Sequence, residues 1–282
     1  HRWRVVDTTG KATAKIRLYP KHLKPFGNGL APIHLKDGWG YINRDGELKL
    51  PPKYNLAGVF HEGRAWVVLN DDYNVIDTGG TILTDTDWRM VGDYYEGLAR
   101  VYNDTAWGFL NRRGDVQIPL EYTTVRNFHE GLAAARMDSL WGYINSDGEW
   151  EIQPRYEHWV GNFRAGYAAV QFDSLFGYIN RRGDTLIGPS YDDLGPFAEP
   201  HRAGAKSFPA LAPVYRKADS GWGYIDTSGK WVVLPQYQRA QAFVGNRAAV
   251  LVGQKWGFID RTGEVVITPR FSEVQPFNQH NL

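Results

Sequence analysis

The chain reads as an all-β repeat array, and three observations predict it. A pentapeptide of aromatic, glycine, aromatic, aliphatic and Asn or Asp recurs along its 282 residues, as in Trp39-Gly40-Tyr41-Ile42-Asn43 and Trp141-Gly142-Tyr143-Ile144-Asn145. Close variants start at Trp107, Phe176, Trp222 and Trp256, and degraded copies start at Trp3 and Tyr73. The eight starts lie 36, 34, 34, 34, 35, 46 and 34 residues apart. The other two observations are a turn signal at fixed spacing after each start and short alternating segments beside it, which mark strands. Such a period means supersecondary units that bury their apolar faces on their neighbours. Residues 1–282 therefore read as a single array of about eight antiparallel β-meander units. The expected arrangement is an open, curved or superhelical solenoid, with a closed propeller-like ring as the alternative.

The pentapeptide forms the middle strand. Its first and third residues share one face and its glycine and aliphatic residue the other, so both faces are apolar and the strand should be buried on both sides. The glycine is expected to leave room for a loop aromatic. Arg4 and Asn74 replace it in copies one and three, which marks both as divergent and copy one as a candidate capping unit.

A hairpin turn follows. Glycine recurs at Gly10, Gly46, Gly80, Gly114, Gly148, Gly183, Gly229 and Gly263. Asn or Asp stands three residues earlier, at Asp7, Asn43, Asp77, Asn111, Asn145, Asn180, Asp226 and Asp260. The Asx side chain caps a type I turn and glycine takes the left-handed position of the bulge. Asn-Arg-Asp-Gly is thus a turn and not a catalytic carboxylate site. A short alternating strand comes next, and proline is expected to end it at Pro52, Pro119, Pro154, Pro189, Pro235 and Pro269.

Two aromatic positions follow the proline. The first holds Tyr19, Tyr54, Trp88, Tyr122, Tyr156, Tyr191, Tyr237 and Phe271, and the second Phe26, Phe60, Tyr94, Phe128, Phe163, Phe197, Phe243 and Phe277. The segment between them reads as a loop or a single helical turn. Glu-Gly-Leu-Ala-x-Val then starts the strand that leads into the next copy. Copy eight stops before that strand, which suggests a natural end, a cut or pairing with another chain.

These residues resemble the WG repeat, a β-repeat of bacterial proteins, and the resemblance runs from Trp3 to Phe277. It implies a scaffold-like surface, periplasmic or secreted protein, with no enzymatic activity assigned to the repeat and no catalytic residues to carry over.

Composition narrows the function. Lys plus Arg number 32 and Asp plus Glu 31, so the net charge of +1 gives no global field for nucleic acid. The charge is uneven: residues 1–38 are basic, whereas residues 70–104 carry Asp71, Asp72, Asp77, Asp85, Asp87, Asp93, Glu96 and Asp104. Opposed patches can orient a partner or a neighbouring copy. The absence of cysteine excludes disulfides and thiolate chemistry. No apolar run reaches the roughly 20 residues of a membrane helix, so the chain is not expected to span a membrane by helices. A start at His1 fits a processed or cut product.

The eight histidines form no HExxH or His-x-His pattern, and there is no Gly-x-Ser-x-Gly elbow or P-loop. Asp85-Thr86-Asp87 reads as a surface turn rather than a cation site. Neither a metal nor a cofactor is expected, and the reading is non-enzymatic.

Departures from the repeat point to binding. Trp66 stands where other copies have Ala134, Ala169 and Ala249, and Trp159 has mixed counterparts. Trp150 and Trp231 share a strand position and read as core filling. Copy six carries about 12 extra residues at 198–210, with Arg202 and Lys206. Insertions in arrays map to loops on one face, often the binding face. Trp66, Trp159, Arg202 and Lys206 are the candidate contacts. Trp39, Trp107, Trp141, Trp222 and Trp256, with Gly46, Gly114, Gly148, Gly229 and Gly263, are repeat positions that build the fold. A protein partner in a bacterial periplasm, on the outer surface or in a secreted assembly is expected, with a cytoplasmic location as the alternative. A glycan stacked on exposed tryptophans is the alternative ligand.

Overall fold

The computed structural model describes residues 4–6, 11–15, 21–85, 88–203 and 206–274. Trp3, Asp7, Gly10, Tyr19, Asp87 and Phe277 lie outside the described residues, as do the side chains of Arg4 and Lys206. Strands dominate, and the one helical element among the described residues is a 3-10 turn at Lys217–Asp219.

The chain divides into two compact units, His1–Asp138 with Asn145–Glu149, and Ser139–Ile144 with Trp150–Leu282. In the first, Arg4–Val6 pairs with Ala12–Lys15, and His22–Leu23, Leu30–Leu35, Gly38–Asn43 and Leu48–Tyr54 form a four-stranded sheet. Leu56–Ala57, Arg64–Leu69 and Asp72–Asp77 form a three-stranded sheet, and Met90–Tyr95, Leu98–Tyr102, Trp107–Leu110 and Val116–Tyr122 a four-stranded one. Thr124–Val125 pairs with Ala133–Met137.

In the second unit, Leu140–Ile144 pairs with Trp150–Tyr156, and Tyr167–Phe172, Leu175–Asn180 and Thr185–Tyr191 form a three-stranded sheet. Two four-stranded sheets follow: Asp193–Leu194, Leu211–Arg216, Gly221–Asp226 and Trp231–Tyr237, then Arg239–Ala240, Ala248–Val252, Lys255–Ile259 and Val265–Phe271. The segment between the two aromatics is thus neither a loop nor a helical turn in most copies. Two of its residues pair with the next strand, as Leu56 does with Val68 and Ala57 with Val67, so its backbone groups find partners.

The pentapeptide strand is buried on both faces. Tyr41 and Ile42, Phe109 and Leu110, Tyr143 and Ile144, Tyr178 and Ile179, and Tyr224 and Ile225 all lie in the core. The second loop aromatic packs on the third pentapeptide residue, with ring centroids 4.6–4.9 Å apart for Tyr41–Phe60, Phe109–Phe128, Tyr143–Phe163, Tyr178–Phe197 and Tyr224–Phe243. The buried hydroxyls stay satisfied. Tyr41 donates to the Gly58 carbonyl at 2.8 Å, Tyr143 to Gly161 at 2.8 Å, Tyr178 to Gly195 at 2.7 Å and Tyr224 to Gln241 at 2.8 Å.

The glycine after Trp has a different purpose from the one expected. A Cβ at Gly40, Gly108, Gly142, Gly223 or Gly257 would lie 2.5–2.6 Å from the carbonyl oxygen of Leu50, Ile118, Ile152, Val233 or Ile267. The following strand bulges into that space. Trp39 pairs with Tyr54 while Tyr41 pairs with Leu50, so Gly40 alone faces Pro51, Pro52 and Lys53. No loop aromatic fills the gap. The proline consequently lies within the strand rather than ending it, because a bulge frees the N–H that proline lacks.

The Asx-Gly turns form as expected. The Asn43 side-chain oxygen accepts from the Asp45 and Glu47 N–H groups at 3.1 and 2.9 Å, and Gly46 has φ +79°. These glycines also serve the neighbouring copy. A Cβ at Gly148 would meet Ile118 Cγ2 at 3.1 Å, and one at Gly263 would meet Val233 Cγ2 at 3.0 Å.

Copy three departs where its sequence does. Asn74 stands in place of the glycine, and the described residues between the Asp77 turn and the strand Met90–Tyr95 form only isolated bridges, at Ile82 and Trp88. Thr84 is buried instead: its hydroxyl accepts from the Val75 N–H at 3.1 Å and donates to the Asn74 side chain at 3.3 Å. A threonine side chain thus supplies the acceptor that a strand carbonyl cannot bring past Asn74.

Candidate interaction surfaces

Trp66 occupies a position governed by cross-strand size. Its carbonyl accepts from the Gly58 N–H at 2.9 Å, and a Cβ at Gly58 would strike its indole nitrogen at 2.6 Å. The same pairing sets Arg126 against Ala134, Gly195 against Pro213 and Lys24 against Pro32. Where a long side chain stands just past the short strand, as at Arg126 and Lys24, the facing residue is Ala134 or Pro32, and where Gly58 stands there the facing residue is Trp66. Trp66 is half-buried over Gly58, its indole N–H donates to the Asp93 carboxylate at 3.0 Å, and its ring lies 5.6 Å from Tyr73. Lys24 completes the cluster: its ammonium lies 4.9 Å from the Trp39 ring centroid and 5.4 Å from that of Trp66, and donates to the Ala57 carbonyl at 2.7 Å. Burial pulls the Lys24 pKa down, and the Asp93 carboxylate partly offsets it. Trp66 therefore has a packing role that its isolated appearance in the sequence did not reveal.

Among the described tryptophans only Trp159 is exposed, at 42%. Its ring meets the Phe176 ring edge-on at 6.0 Å, and its carbonyl accepts from the Gln171 N–H at 2.8 Å. Trp39 is buried, whereas Trp107, Trp141, Trp222 and Trp256 are half-buried. Trp150 and Trp231 are half-buried over Gly142 and Gly223, where they fill the core beside the bulge.

The Glu-Gly segments are two-residue hairpin turns. Glu62 and Gly63 have φ +51° and +78°, Glu96 and Gly97 +54° and +86°, and Glu130 and Gly131 +54° and +77°. Positive φ at both central residues defines the type I′ turn. The glutamates tie successive copies together. The Glu62 carboxylate accepts from the Glu96 and Gly97 N–H groups at 2.8 Å each, and that of Glu96 accepts from Glu130 and Gly131 at 2.6 and 2.7 Å. Asn28 caps Gly63 in the same way at 2.9 Å. Burial pushes the Glu62 carboxyl up, but the Arg112 guanidinium at 2.6 Å and the two N–H groups outweigh it and hold it below the ordinary range. Half of the acids in the stretch at 70–104 are spent within the fold. Asp77 caps its turn, Asp93 binds Trp66, Glu96 caps the next copy and Arg89 pairs with Asp104 at 2.7 Å.

In copy six the equivalent turn is replaced by an arm. The Ala198–Leu211 bridge matches the His61–Arg64 bridge, but residues 199–210 separate its ends. The strands His201–Ala203 and Lys206–Phe208 pair antiparallel, with Arg202 opposite Ser207 and Lys206 opposite Ala203. The base of the arm is fixed by Arg261, which is only 2% exposed. Its guanidinium donates to the carbonyls of Glu199 at 2.7 Å, Pro209 at 2.8 Å and Gly245 at 2.9 Å, and lies 5.2 Å from the Phe243 ring centroid. Burial lowers the Arg261 pKa from a very high starting point, so the cation persists and its field falls on three carbonyl dipoles. The Glu199 carboxylate accepts from the Ala165 N–H at 3.1 Å. Arg202 is exposed and makes no hydrogen bond or ion pair with a described residue.

No cluster of His, Asp and Glu with metal-binding geometry occurs among the described residues. A shallow depression lies beside Thr84, Asp85, Trp88 and Asp115 in the first unit. No helix among the described residues is long and apolar enough to cross a membrane.

No curated protein matches the chain. Among solved structures it is similar to a eukaryotic initiation factor, at 12% identity over 81% of this chain and 70% of that one, with a TM-score of 0.51. It is also similar to the dihydro-heme d1 dehydrogenase NirN, at 12% identity over 96% and 72% of the two chains and a TM-score of 0.46. A third similarity is to virginiamycin B lyase from Staphylococcus aureus, at 11% identity over 87% and 93% and a TM-score of 0.36. At these identities the likeness concerns the fold alone. The family description "WG containing repeat" matches residues 39–73, 107–141, 141–175, 176–206, 222–256 and 256–282, and passes over copies one and three. With six matched repeats that share the bulge and the Asx-Gly turn, the chain belongs to the WG-repeat family.

Proposed function

We propose that the protein is a non-enzymatic scaffold that binds another protein through copy-specific features, in a bacterial periplasm, on the outer surface or in a secreted assembly. The observation that carries this reading is the copy-six arm. Elsewhere in the repeat the same position needs only two residues to turn the chain. Twelve residues held by a buried arginine add nothing that a hairpin turn lacks, so an external role accounts for them best. Trp66, Trp159, Arg202 and Lys206 are the contacts of this reading, Trp66 through the part of its ring that packing leaves open. An open, curved array of units belongs to the same proposal, because it leaves such features accessible in series; a closed ring is its alternative. Co-purification after in-cell cross-linking tests it. The intact chain should recover one defined protein, and the chain with Trp159→Ala and Arg202→Ala should recover clearly less. Recovery of no protein at all would overturn the reading.

One observation favours a second reading. Trp159 presents 42% of its surface, and an exposed indole can stack on a sugar ring. Quenching of tryptophan fluorescence by millimolar glycan, abolished by Trp159→Ala, would support it over the scaffold.

A further inference from the structure

Neighbouring copies meet through a repeated seat. The turn glycine of one copy rests on an aliphatic side chain of the copy before, as Gly148 does on Ile118, Gly183 on Ile152 and Gly263 on Val233. A Cβ at these glycines would come within 3.0–3.1 Å of that side chain. The covered residues are no more than 4% exposed. Copy five adds a polar clamp. The Arg155 guanidinium, 5.2 Å from the Tyr156 ring centroid, donates to the Gly183 carbonyl, and the Tyr156 hydroxyl donates to the same oxygen at 3.4 Å. Copy eight repeats this seat as Ile267-Thr268-Pro269-Arg270-Phe271, against Ile152-Gln153-Pro154-Arg155-Tyr156. The register is the same: Phe258 pairs with Ile267 and Trp256 with Phe271, as Tyr143 does with Ile152 and Trp141 with Tyr156. Arg270 lies 5.1 Å from the Phe271 ring centroid, as Arg155 lies beside Tyr156. Burial differs. Ile267 is only half-buried, and Phe271 is 36% exposed where Tyr156 is 8%. Arg270 is exposed and makes no hydrogen bond or ion pair with a described residue.

We propose that the open seat on copy eight binds an Asx-Gly turn from a second copy of this chain, joining chains head to tail by the contact that already joins copies within one. The molecule itself shows what covers such a seat: a glycine at positive φ, such as Gly183 at +80°, held by its Asx cap. A bulkier residue would collide with the aliphatic floor, so an ordinary apolar peptide does not fit. The turn that fits is the chain's own, and a second copy supplies it. Ile267 takes the glycine Cα, and Arg270 donates to the glycine carbonyl as Arg155 does to Gly183. Phe271 lacks the hydroxyl that Tyr156 contributes, so Arg270 carries the polar part alone. Seat and turn are different surfaces, which makes the contact heterologous; such contacts build open chains or close into rings of several subunits. The acceptor is a neutral carbonyl, so salt should weaken the contact only slightly.

Two measurements on the full chain test this. Sedimentation over a wide concentration range should show the weight-average mass of the parent rising past that of a dimer. Ile267→Asp and Arg270→Glu should each lower the association constant about tenfold or more, and Arg270→Lys should lose less. Arg270→Glu changes an exposed side chain, so its circular dichroism should match the parent and its loss of association cannot come from misfolding. The second measurement locates the contact. The chain has no cysteine, so Thr268→Cys, an exposed position beside the seat, takes a single photoreactive label. Isotopically light and heavy labelled chains are mixed, irradiated and mapped by mass spectrometry. Mixed light–heavy cross-links within an Asx-Gly turn are expected, and Arg270→Glu should reduce their yield several-fold. A mass that does not change with concentration would overturn the proposal, as would full association by Arg270→Glu. Cross-links confined to chains of one isotope would show the seat closing on its own chain, and mixed cross-links outside the Asx-Gly turns would show a different contact; either result also sinks it.

Discussion

The tight turn at Glu62-Gly63 and the arm at residues 199–210 solve the same connection in different ways. Both start from the same cross-strand bridge, His61 to Arg64 in one and Ala198 to Leu211 in the other. At the tight turn, two left-handed residues reverse the chain, and a carboxylate from the turn caps the next copy. At the arm, a buried guanidinium holds the two legs, and Glu199 reaches to the earlier copy at Ala165. The difference teaches that the lattice asks only for a bridge and for satisfied N–H and C=O groups. What lies beyond the bridge is free to vary, and that is where copy-specific surface arises.

Variants can break this comparison at graded cost. The largest effect should come from the lattice itself. Gly223→Val would drive a side chain into the Val233 carbonyl, with an expected loss of about 3–5 kcal/mol or outright failure to fold. Gly148→Val should cost roughly 1–3 kcal/mol, since it strains a φ of +85° and presses on Ile118. Asp147→Ala on the same turn should stay within about 0.5 kcal/mol. Urea midpoints rank the three, and equal midpoints for the two Gly148-turn variants would defeat the bulge argument.

Next comes the arm's clamp. Arg261→Met leaves the carbonyls of Glu199, Pro209 and Gly245 without their donor in a buried place. A loss of about 2–4 kcal/mol is expected, with limited proteolysis cutting first within residues 199–210. Unchanged resistance to protease would show that the arm holds itself.

The glutamate caps should matter less, because they are partly solvated. Glu62→Gln should cost about 1 kcal/mol at neutral pH. The folded-state pKa of Glu62 is held below its unfolded value. Its stabilisation is therefore complete above the unfolded carboxylate pKa and is lost as pH falls through the folded one. The parent should lose this increment on acidification, whereas the glutamine variant should show a flatter acid limb. Replacing the whole arm by Asn-Gly should change loop-closure entropy by no more than about 1 kcal/mol, since loop length enters it only logarithmically, with a further cost because Arg261 loses the carbonyls of Glu199 and Pro209.

Much of the lattice is legible in the residues. The Asx-Gly turns follow from local side-chain chemistry, so their spacing alone identifies them at Asn43 and Gly46. The divergence of copy three is equally visible in Asn74, and the added length of copy six in residues 199–210. The reason for Gly40 is hidden because it depends on register: one residue faces three across a bulge, and no local pattern shows that. The Glu-Gly turns escaped notice as turns because glutamate is unusual at positive φ. The homologous Asn28-Gly29, a common type I′ pair, was the available signal. Trp66 looked free because its partner Gly58 lies eight residues earlier, just past the Leu56–Ala57 strand. Arg261 could not be singled out, for Arg44 and Arg181 share its turn position and only burial sets it apart.

The glutamate caps have a direction. Asn28 serves Gly63, Glu62 serves Glu96 and Gly97, and Glu96 serves Glu130 and Gly131, so each of the first three copies carries the group that its successor requires, whereas Glu199 points back to Ala165. A whole unit copied in tandem would arrive with a cap for the unit after it and find one waiting from the unit before. Lengthening or shortening that run by complete repeats of the Glu-Gly kind therefore leaves no joint within it unmatched, whereas a break within a repeat would strand a carboxylate on one side and two N–H groups on the other.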